Sequence, residues 1–520
     1  MKVNSGKSAA DCTQEVQVSS ADIVYSSCAC NVRSTANVNK SFAVPTVIPQ
    51  VDKPYDYSNR QKWIITTIVT VAAAAAPMGA AMFYPALPKI SEDFEVSKST
   101  TNLAVALYML SMGIFPLWWS YISERSGRRV VYLISFVLNV AFTLACGFST
   151  SMGMLIGFRV LAGGAASSMQ SVGAGTVADI WESSQRGRAM GIYYLGPLLG
   201  PLVSPIIGGI LAQRFGWRSD LWFLTAFGAV VFMFILFALP ETLVSHNREN
   251  SPTKSPSPTS LSAGQRNPSK KASKKVAQWF QHGLTDPLRV VLYLQFPAVL
   301  IVVYYAAITF GSLYVLNISV QSAFADEPYN FSPLIIGLLY VPSSLGYVAA
   351  SLLGGPWVDR IMIRKAMQAG RRDANGHLIY LPEDRMQENA WISAVVYPGS
   401  LIWYGWTVQY QLHWVIPSIA TFFYGAGSML VFSATTTMLT EFMPQKASSG
   451  VALNNLVRNI FSCVGAIVGQ PLISKIGHGW LMTLIGLVAC TSGLACLWML
   501  RSNAEKWRAH MDKKLSNSYL

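Results

Sequence analysis

The stretch Val130-Val-Tyr-Leu-Ile-Ser-Phe-Val-Leu-Asn-Val-Ala-Phe-Thr-Leu-Ala-Cys-Gly-Phe148 holds no charged residue, and Gly127-Arg128-Arg129 stands immediately before it. As a helix rising 1.5 Å per residue it covers ~28 Å, close to the hydrocarbon thickness of a bilayer. Comparable apolar segments recur at about 63 to 87, 101 to 121, 152 to 178, 189 to 212 and 219 to 240. With the quoted one, read as 129 to 148, they make six. A second six follow at about 290 to 317, 333 to 357, 391 to 409, 413 to 440, 449 to 473 and 478 to 500. Only 12% of the 520 residues are charged and 52% are hydrophobic, where a soluble protein carries roughly 25% charged residues. A mean hydropathy of +0.36 agrees. The expected fold is all-α and membrane-integral, with twelve transmembrane helices in two six-helix halves.

Between the halves, 241 to 289 contains Ser251-Pro-Thr-Lys-Ser-Pro-Ser-Pro-Thr and the cluster Lys270, Lys271, Lys274 and Lys275. This composition predicts a disordered linker, with an interfacial helix near Trp279, Phe280 and Leu284 as one reading of its end. The expected organisation is a disordered N-tail over 1–62, bundles over 63–240 and 290–500, and a C-tail over 501–520. The net charge of +14 does not point to nucleic acid, because the basic residues sit between apolar segments rather than on one folded face. With the N-terminus inside, 32 of the 39 Lys and Arg fall on the inner side, and the short loops alone give 12 inside against 5 outside. The positive-inside rule therefore predicts cytoplasmic termini and a cytoplasmic linker. The polar first 60 or so residues lack the apolar core of a signal peptide. Seven cysteines, including Cys28 and Cys30 in the tail, suggest no disulfide framework.

Three places carry more than span-forming chemistry. The loop Ser120-Tyr-Ile-Ser-Glu124-Arg125-Ser-Gly127-Arg128-Arg129 and the loop Gly355-Pro-Trp-Val-Asp359-Arg360-Ile-Met-Ile-Arg364 repeat an acid, an adjacent Arg and a second Arg at an offset of 235 residues. A carboxylate paired with neighbouring basic groups would bias one of two conformations; positive-inside anchoring is the simpler alternative. In the fourth span, Leu155-Ile-Gly-Phe-Arg159-Val-Leu-Ala162-Gly163 buries a cation, which is costly in lipid and so faces the bundle interior. It either tunes a proton or substrate site or pairs with backbone carbonyls. The fifth span places Gly191, Gly200, Ser204-Pro205, Gly208 and Gly209 at intervals that allow close helix approach and a proline kink.

At these residues the chain resembles the major facilitator superfamily, and more closely its fungal twelve-span drug:proton antiporters. The loop from Ser120 to Arg129 matches family motif A, with Ser120 for Gly and Glu124 for Asp; the Arg159 stretch matches motif B, with Ala162 where Gln is common. The fifth span matches motif C with Ser204 for Gly. Tyr84-Pro85-Ala86-Leu87-Pro88 and Pro240-Glu241-Thr242 resemble the fungal subgroup. Gly113-Ile-Phe-Pro116-Leu-Trp118-Trp119-Ser120 and Gly450-Val-Ala-Leu-Asn454-Asn455-Leu-Val-Arg458-Asn459 resemble its quinidine-resistance branch. The resemblance implies proton-driven export of drugs, polyamines, amino-acid derivatives or spore-wall precursors, by alternating access and from the plasma membrane. It also implies a latch built on Glu124, Arg125, Gly127, Arg128, Arg129, Asp359 and Arg360. Aromatics of the seventh and tenth spans, Tyr304, Tyr305, Phe310, Phe422, Phe423 and Tyr424, line a central cavity in this reading and face lipid or pack helices in the other.

Arg159, Asp179 and Arg458 are the candidates for proton or substrate coupling. No acid or His is evident deep in a span; the nearest acids, Glu124, Asp179, Asp359 and Glu441, sit at span ends. Coupling is thus an implication of the resemblance, and an uncoupled facilitator or an organic-anion exporter using Arg159 stays open. The sequons Asn317-Ile-Ser319 and Asn330-Phe-Ser332 fall between the seventh and eighth spans, too near the membrane to be good acceptors. No metal-ligand cluster, nucleophile elbow or phosphate loop is found, so the expectation is a transporter, not an enzyme, without cofactor. Its expected partners are a small-molecule substrate, protons and the lipid bilayer, with no nucleic acid and no second copy.

Overall fold

The computed structural model describes residues 47–51, 53–181, 183–243, 287–372, 378, 387–442 and 447–517. The N-terminal cysteines, Ser251, Ser255, Ser257, the lysine cluster and the expected interfacial helix near Trp279 lie outside the described residues. Twelve membrane-length helices are traced among those described. α1 (Asn59–Asp93), α2 (Lys98–Ser126), α3 (Arg128–Gly147), α4 (Met152–Ile180), α5 (Ser183–Phe215) and α6 (Arg218–Ala238) form the first set. α7 (Pro297–Ala325), α8 (a short turn from Pro333, then Val341–Gln368), α9 (Glu388–Gln409) and α10 (Val415–Phe442) follow. α11 (447–476) and α12 (478–517) run on from one another, separated by Gly477 at φ +77°.

The quoted stretch shows how these helices are built. On α3, Val131, Tyr132, Ser135, Phe136, Asn139, Thr143 and Cys146 are buried, while Val130, Ile134, Val137 and Leu144 are exposed. The helical period is kept, but the polar groups turn inward and the apolar ones face lipid, since a bilayer offers hydroxyls and amides no partner. Helix starts are set by side-chain caps. Ser58 Oγ accepts from the Gln61 N–H while Gln61 Oε1 accepts from the Ser58 N–H, and Ser97 Oγ accepts from the Thr100 N–H.

α1 and α4 are interrupted. α1 loses regular geometry at Ala74 and again around Tyr84–Ala86, near Pro77 and Pro85, and α4 breaks at Ser167. Two expected boundaries move. The seventh span begins at Pro297 rather than 290, because Pro287–Gln295 forms a 3-10 segment and Pro297 starts the helix. It runs on to Ala325, with Ser319, Gln321 and Ser322 buried against neighbouring helices. Asn317 and Ser319 are therefore helical residues rather than loop residues: Ser319 lies 2.8 Å from His478 Nδ1, and a buried helix offers no glycosylation acceptor.

At one end of the bundle the two halves close on each other. A Cβ built at Gly209 would come within 2.6 Å of the Pro333 carbonyl oxygen, and one at Gly337 would collide with the Pro205 carbonyl. Backbones can meet there only because both positions lack a side chain. The same end carries the cross-half ion pair Lys98 Nζ to Asp326 Oδ2 at 2.7 Å.

Candidate functional site

A cavity of about 160 Å³, open at its mouth, lies between the halves and takes residues from α1, α2, α4, α5, α7, α8, α10 and α11. Its walls are aromatic and amide-bearing: Tyr84, Tyr193, Tyr194, Phe310, Tyr314, Tyr347 and Phe432 stand among Gln170, Asn317, Asn454, Asn455 and Asn459. Arg458 is the one charged side chain among the described lining residues. Its guanidinium carbon lies 4.1 Å from the Phe310 ring centroid and 5.0 Å from that of Phe432, two rings that also contact each other at 5.5 Å, and these cation–π contacts hold the charge in place. Arg458 Nε, Gln170 Oε1, Asn454 Oδ1, Thr436 Oγ1 and the Tyr347 hydroxyl are buried without a hydrogen-bond partner in the protein. Unpaired buried polar atoms converging on an apolar-walled cavity are what a ligand site offers.

The sequence-chosen aromatics fall elsewhere, apart from Phe310. Cavity-facing positions on α7 are 310, 313, 314 and 317, and on α10 they are 429, 432 and 436, three or four apart on one helical face. Tyr304, Tyr305, Phe423 and Tyr424 lie off those faces. Tyr304 meets Phe461 edge-on, and Tyr305 is buried where it contacts Gly493. Phe423 is 43% exposed toward lipid, with Phe422 beside it, and the Tyr424 hydroxyl donates to the Thr309 carbonyl at 2.9 Å. These four pack helices or face the bilayer.

Arg159 on α4 is 2% exposed but does not line that cavity. Its Nη1 donates to the Gly79 carbonyl at 2.9 Å, in the helical stretch Ala75–Ala81 between the two irregular points of α1, and its guanidinium lies 3.9 Å from the Phe83 ring and 4.4 Å from the Tyr108 ring. Nε and Nη2 have no partner in the protein. A separate cavity of about 10 Å³ touches Arg159, Asn139, Thr143, Cys146 and Leu221, enough for roughly one water.

The motif A loop forms a compact ionic knot, though on different acids from those expected. Glu241, beyond α6, accepts from the backbone N–H groups of Arg128 at 2.8 Å and Arg129 at 3.1 Å, so it caps the N-terminus of α3. Arg128 Nε donates to Asp179 Oδ2 at 3.1 Å and its Nη1 to Ser123 Oγ at 2.7 Å. Arg129 Nη2 donates to the Leu236 carbonyl at 2.9 Å. Gly127 sits at φ +98°, and a Cβ there would approach Glu241 Oε2 to 2.5 Å. Glu124 is exposed, with no hydrogen bond or ion pair to a described residue, and the Arg125 guanidinium stacks on Tyr121. Asp179 thus pairs with Arg128 in this knot. In the second half Arg360 is exposed and Arg364 pairs with Glu388 at 2.7 Å; the side chain of Asp359 lies outside the described residues.

Motif C packs α5 against two partners. Cβ atoms at Gly200 and Gly208 would approach the carbonyls of Ala74 at 3.2 Å and Met82 at 2.5 Å on α1, whereas Gly209 and Pro205 meet α8. Ser204 is fully buried; the surroundings of Gly191 lie outside the described side chains.

One residue escaped the sequence reading. Asp220, two residues into α6, is 0% exposed and neither carboxylate oxygen has a hydrogen-bond partner. In sequence it stands in Arg218-Ser-Asp220 at a helix start, where an acid is ordinary. Only the packing of α3, α4 and α6 around it makes it a buried acid.

The sequence profile of the Major Facilitator Superfamily matches residues 69–466. The chain belongs to this superfamily. Among its relatives, the MFS antiporter QDR3 of Candida albicans is 33% identical across 90% of this chain and 81% of its own length. Quinidine resistance protein 3 of Saccharomyces cerevisiae is 28% identical across 90% of this chain and 86% of its own. The MFS transporter OpS2 of Beauveria bassiana is 45% identical over 67% of this chain and 99% of its own. Among solved structures, the partially occluded inward-open xylose transporter XylE of E. coli superposes with a TM-score of 0.60 at 13% identity, covering 85% of this chain and 98% of that one. The shared property is the major facilitator fold. The protein is accordingly a fungal-type multi-pass membrane transporter of small molecules, as are its relatives.

Proposed function

We propose that this major facilitator protein exports amphipathic organic molecules across the plasma membrane by alternating access, in exchange for protons, acting as a monomer. The observation that carries the reading is the cavity between the halves, whose aromatic walls and unpartnered polar atoms face no protein partner. Quinidine resistance in the yeast relative's name and the antiporter in the Candida relative's support efflux of drug-like compounds. In this reading the bundles are 63–240 and 290–500, joined by a cytoplasmic linker at 241–289 and flanked by cytoplasmic tails at 1–62 and 501–520. The end closed by Gly209, Gly337 and the Lys98–Asp326 pair is then the outer one, and the cavity takes substrate from inside. That ion pair is half-exposed on both partners and contributes only about 0 to 1 kcal/mol, so it parts readily when the outer end opens.

A second reading concerns substrate charge. Cations are expected where acids line a cavity, but Arg458 is the charged group here, with amides around it; this favours neutral or anionic aromatic compounds over polyamines. Flux of a labelled panel, including fluorescein as anion and rhodamine as cation, into inside-out vesicles with and without a pH gradient tests both points. Uptake indifferent to the gradient would end the exchange reading. Rhodamine transport with fluorescein excluded would end the anion reading.

A further inference from the structure

Of the polar groups buried without a partner, Asp220 is the one carboxylate among the described residues. It is fully buried at the start of α6, and a charge in that position normally has an ion-pair partner. Its electrostatic neighbour is Arg159 on α4, which is also incompletely satisfied: Nε and Nη2 lack partners. The two are not in hydrogen-bonding contact. Leu221, next to Asp220, and Arg159 share the small one-water cavity with Cys146 and Asn139 of α3.

We propose that Asp220 is the group that takes up and releases the exchanged proton, with Arg159 as its movable counter-ion. This rests on the proton-exchange reading above. Other ionisable groups around the pair are neutral or already engaged. Tyr108, Cys146 and Tyr84 face Arg159, and none of them carries a charge as phenol or thiol. Arg218 is turned away onto the Ser149 carbonyl at 3.2 Å and the Trp217 ring. Asp93 accepts from the Trp217 indole N–H at 2.7 Å.

Two opposing effects make the protonation state depend on where Arg159 points. Burial without hydrogen bonds favours the neutral acid, whereas the N-terminus of α6 and the guanidinium favour the carboxylate. In the structure Arg159 bonds Gly79 and contacts two rings, and it makes no hydrogen bond to Asp220. On release the O–H bond breaks, the proton passes to water and the electron pair stays on the carboxylate, which then attracts Nε and Nη2 of Arg159. That movement would withdraw the hydrogen bond from Gly79. Gly79 stands between Pro77 and Ala81, both of which line the central cavity, so the proton acts on the cavity wall through the stretch of α1 between its two breaks.

The test needs no transported compound. Full-length protein in detergent is titrated across neutral pH and followed by infrared difference spectroscopy and by maleimide labelling of Val451→Cys in the central cavity. The expected result is a deuterium-sensitive carboxylic-acid carbonyl band in wild type that disappears in Asp220→Asn. The labelling rate, divided at each pH by that of a solvent-exposed reference cysteine to remove the rise in thiolate fraction, should change severalfold with pH in wild type and stay at its acidic value in Asp220→Asn. Asp220→Glu, which keeps an acid, should retain the pH response at a shifted midpoint and so excludes a folding defect as the cause. A band that persists in Asp220→Asn, or labelling in that variant that still depends on pH after division by the reference cysteine, would overturn the proposal. A wild-type cavity that responds to pH through Asp220, while vesicle flux ignores a pH gradient, supports the site and breaks the exchange reading alone.

Discussion

Arg159 and Arg458 are the same side chain in the same kind of place, deep in an apolar span, each in contact with two aromatic rings. The first is sealed: its guanidinium bonds a backbone carbonyl of α1 and borders a cavity of about 10 Å³. The second stands on the wall of a cavity of about 160 Å³, some sixteen times larger, among amides. The difference teaches that a buried cation in this fold has two uses. Where it is closed off from ligand it can act on neighbouring helices and on a nearby acid. Where it borders open volume it can read the charge of what enters.

Arg458→Ala separates these uses most strongly. A hydrogen bond to a charged group contributes about 1.5–3 kcal/mol, so transport efficiency for fluorescein should fall roughly 10- to 100-fold while rhodamine is spared. Equal losses for both probes, at equal surface expression, would remove charge reading from Arg458. Arg159 should behave otherwise. Its Ala variant is expected to lose gradient-driven flux by about tenfold, the equivalent of one charge-assisted hydrogen bond, without changing the preference between the probes. Lys in its place keeps the charge but not the planar fork; substantial rescue by Arg159→Lys means that charge alone suffices, and equal failure means that geometry is needed.

The ring partners sharpen the comparison at smaller scale. Phe310→Ala removes a desolvated cation–π contact of about 1–2 kcal/mol, which should appear as a higher KM for fluorescein. Phe83→Ala removes the corresponding contact at Arg159, and should appear instead as a lower Tm of the purified protein with KM nearly unchanged. Smallest of all, Glu124→Ala should leave flux within about twofold of wild type, because this exposed acid holds no partner among the described residues. Glu241→Gln, which weakens the cap of α3, should cost about 1 kcal/mol of stability. A Glu124 variant that fails while Glu241→Gln is silent would return the latch to Glu124 and imply that another conformation, not this one, uses it.

Span number, halves and superfamily were legible in the chain itself. Hydropathy is a local property, and a bilayer demands about 20 apolar residues whatever the neighbours do. Motif C was legible for a similar reason: glycines at helical spacing announce close approach, and α5 meets α1 and α8 at those positions. Arg159 and Arg458 were conspicuous because a cation in lipid is rare in any sequence.

What sequence could not supply was direction and depth. Tyr304, Tyr305, Phe423 and Tyr424 have the right chemistry for a cavity, yet the rotation of α7 and α10 turns them onto helices or lipid and presents Phe310 and Phe432 instead. Helix phase is set by packing across the bundle, which no single segment encodes. The acids that meet Arg128 are Glu241 and Asp179, contributed from 113 and 51 residues away, while the adjacent Glu124 is exposed. Asp220 is the clearest case. As a residue at a helix start it is unremarked, and it becomes a buried, unpaired carboxylate beside Arg159 only when three spans close over it, because burial belongs to the assembled bundle and not to the residue.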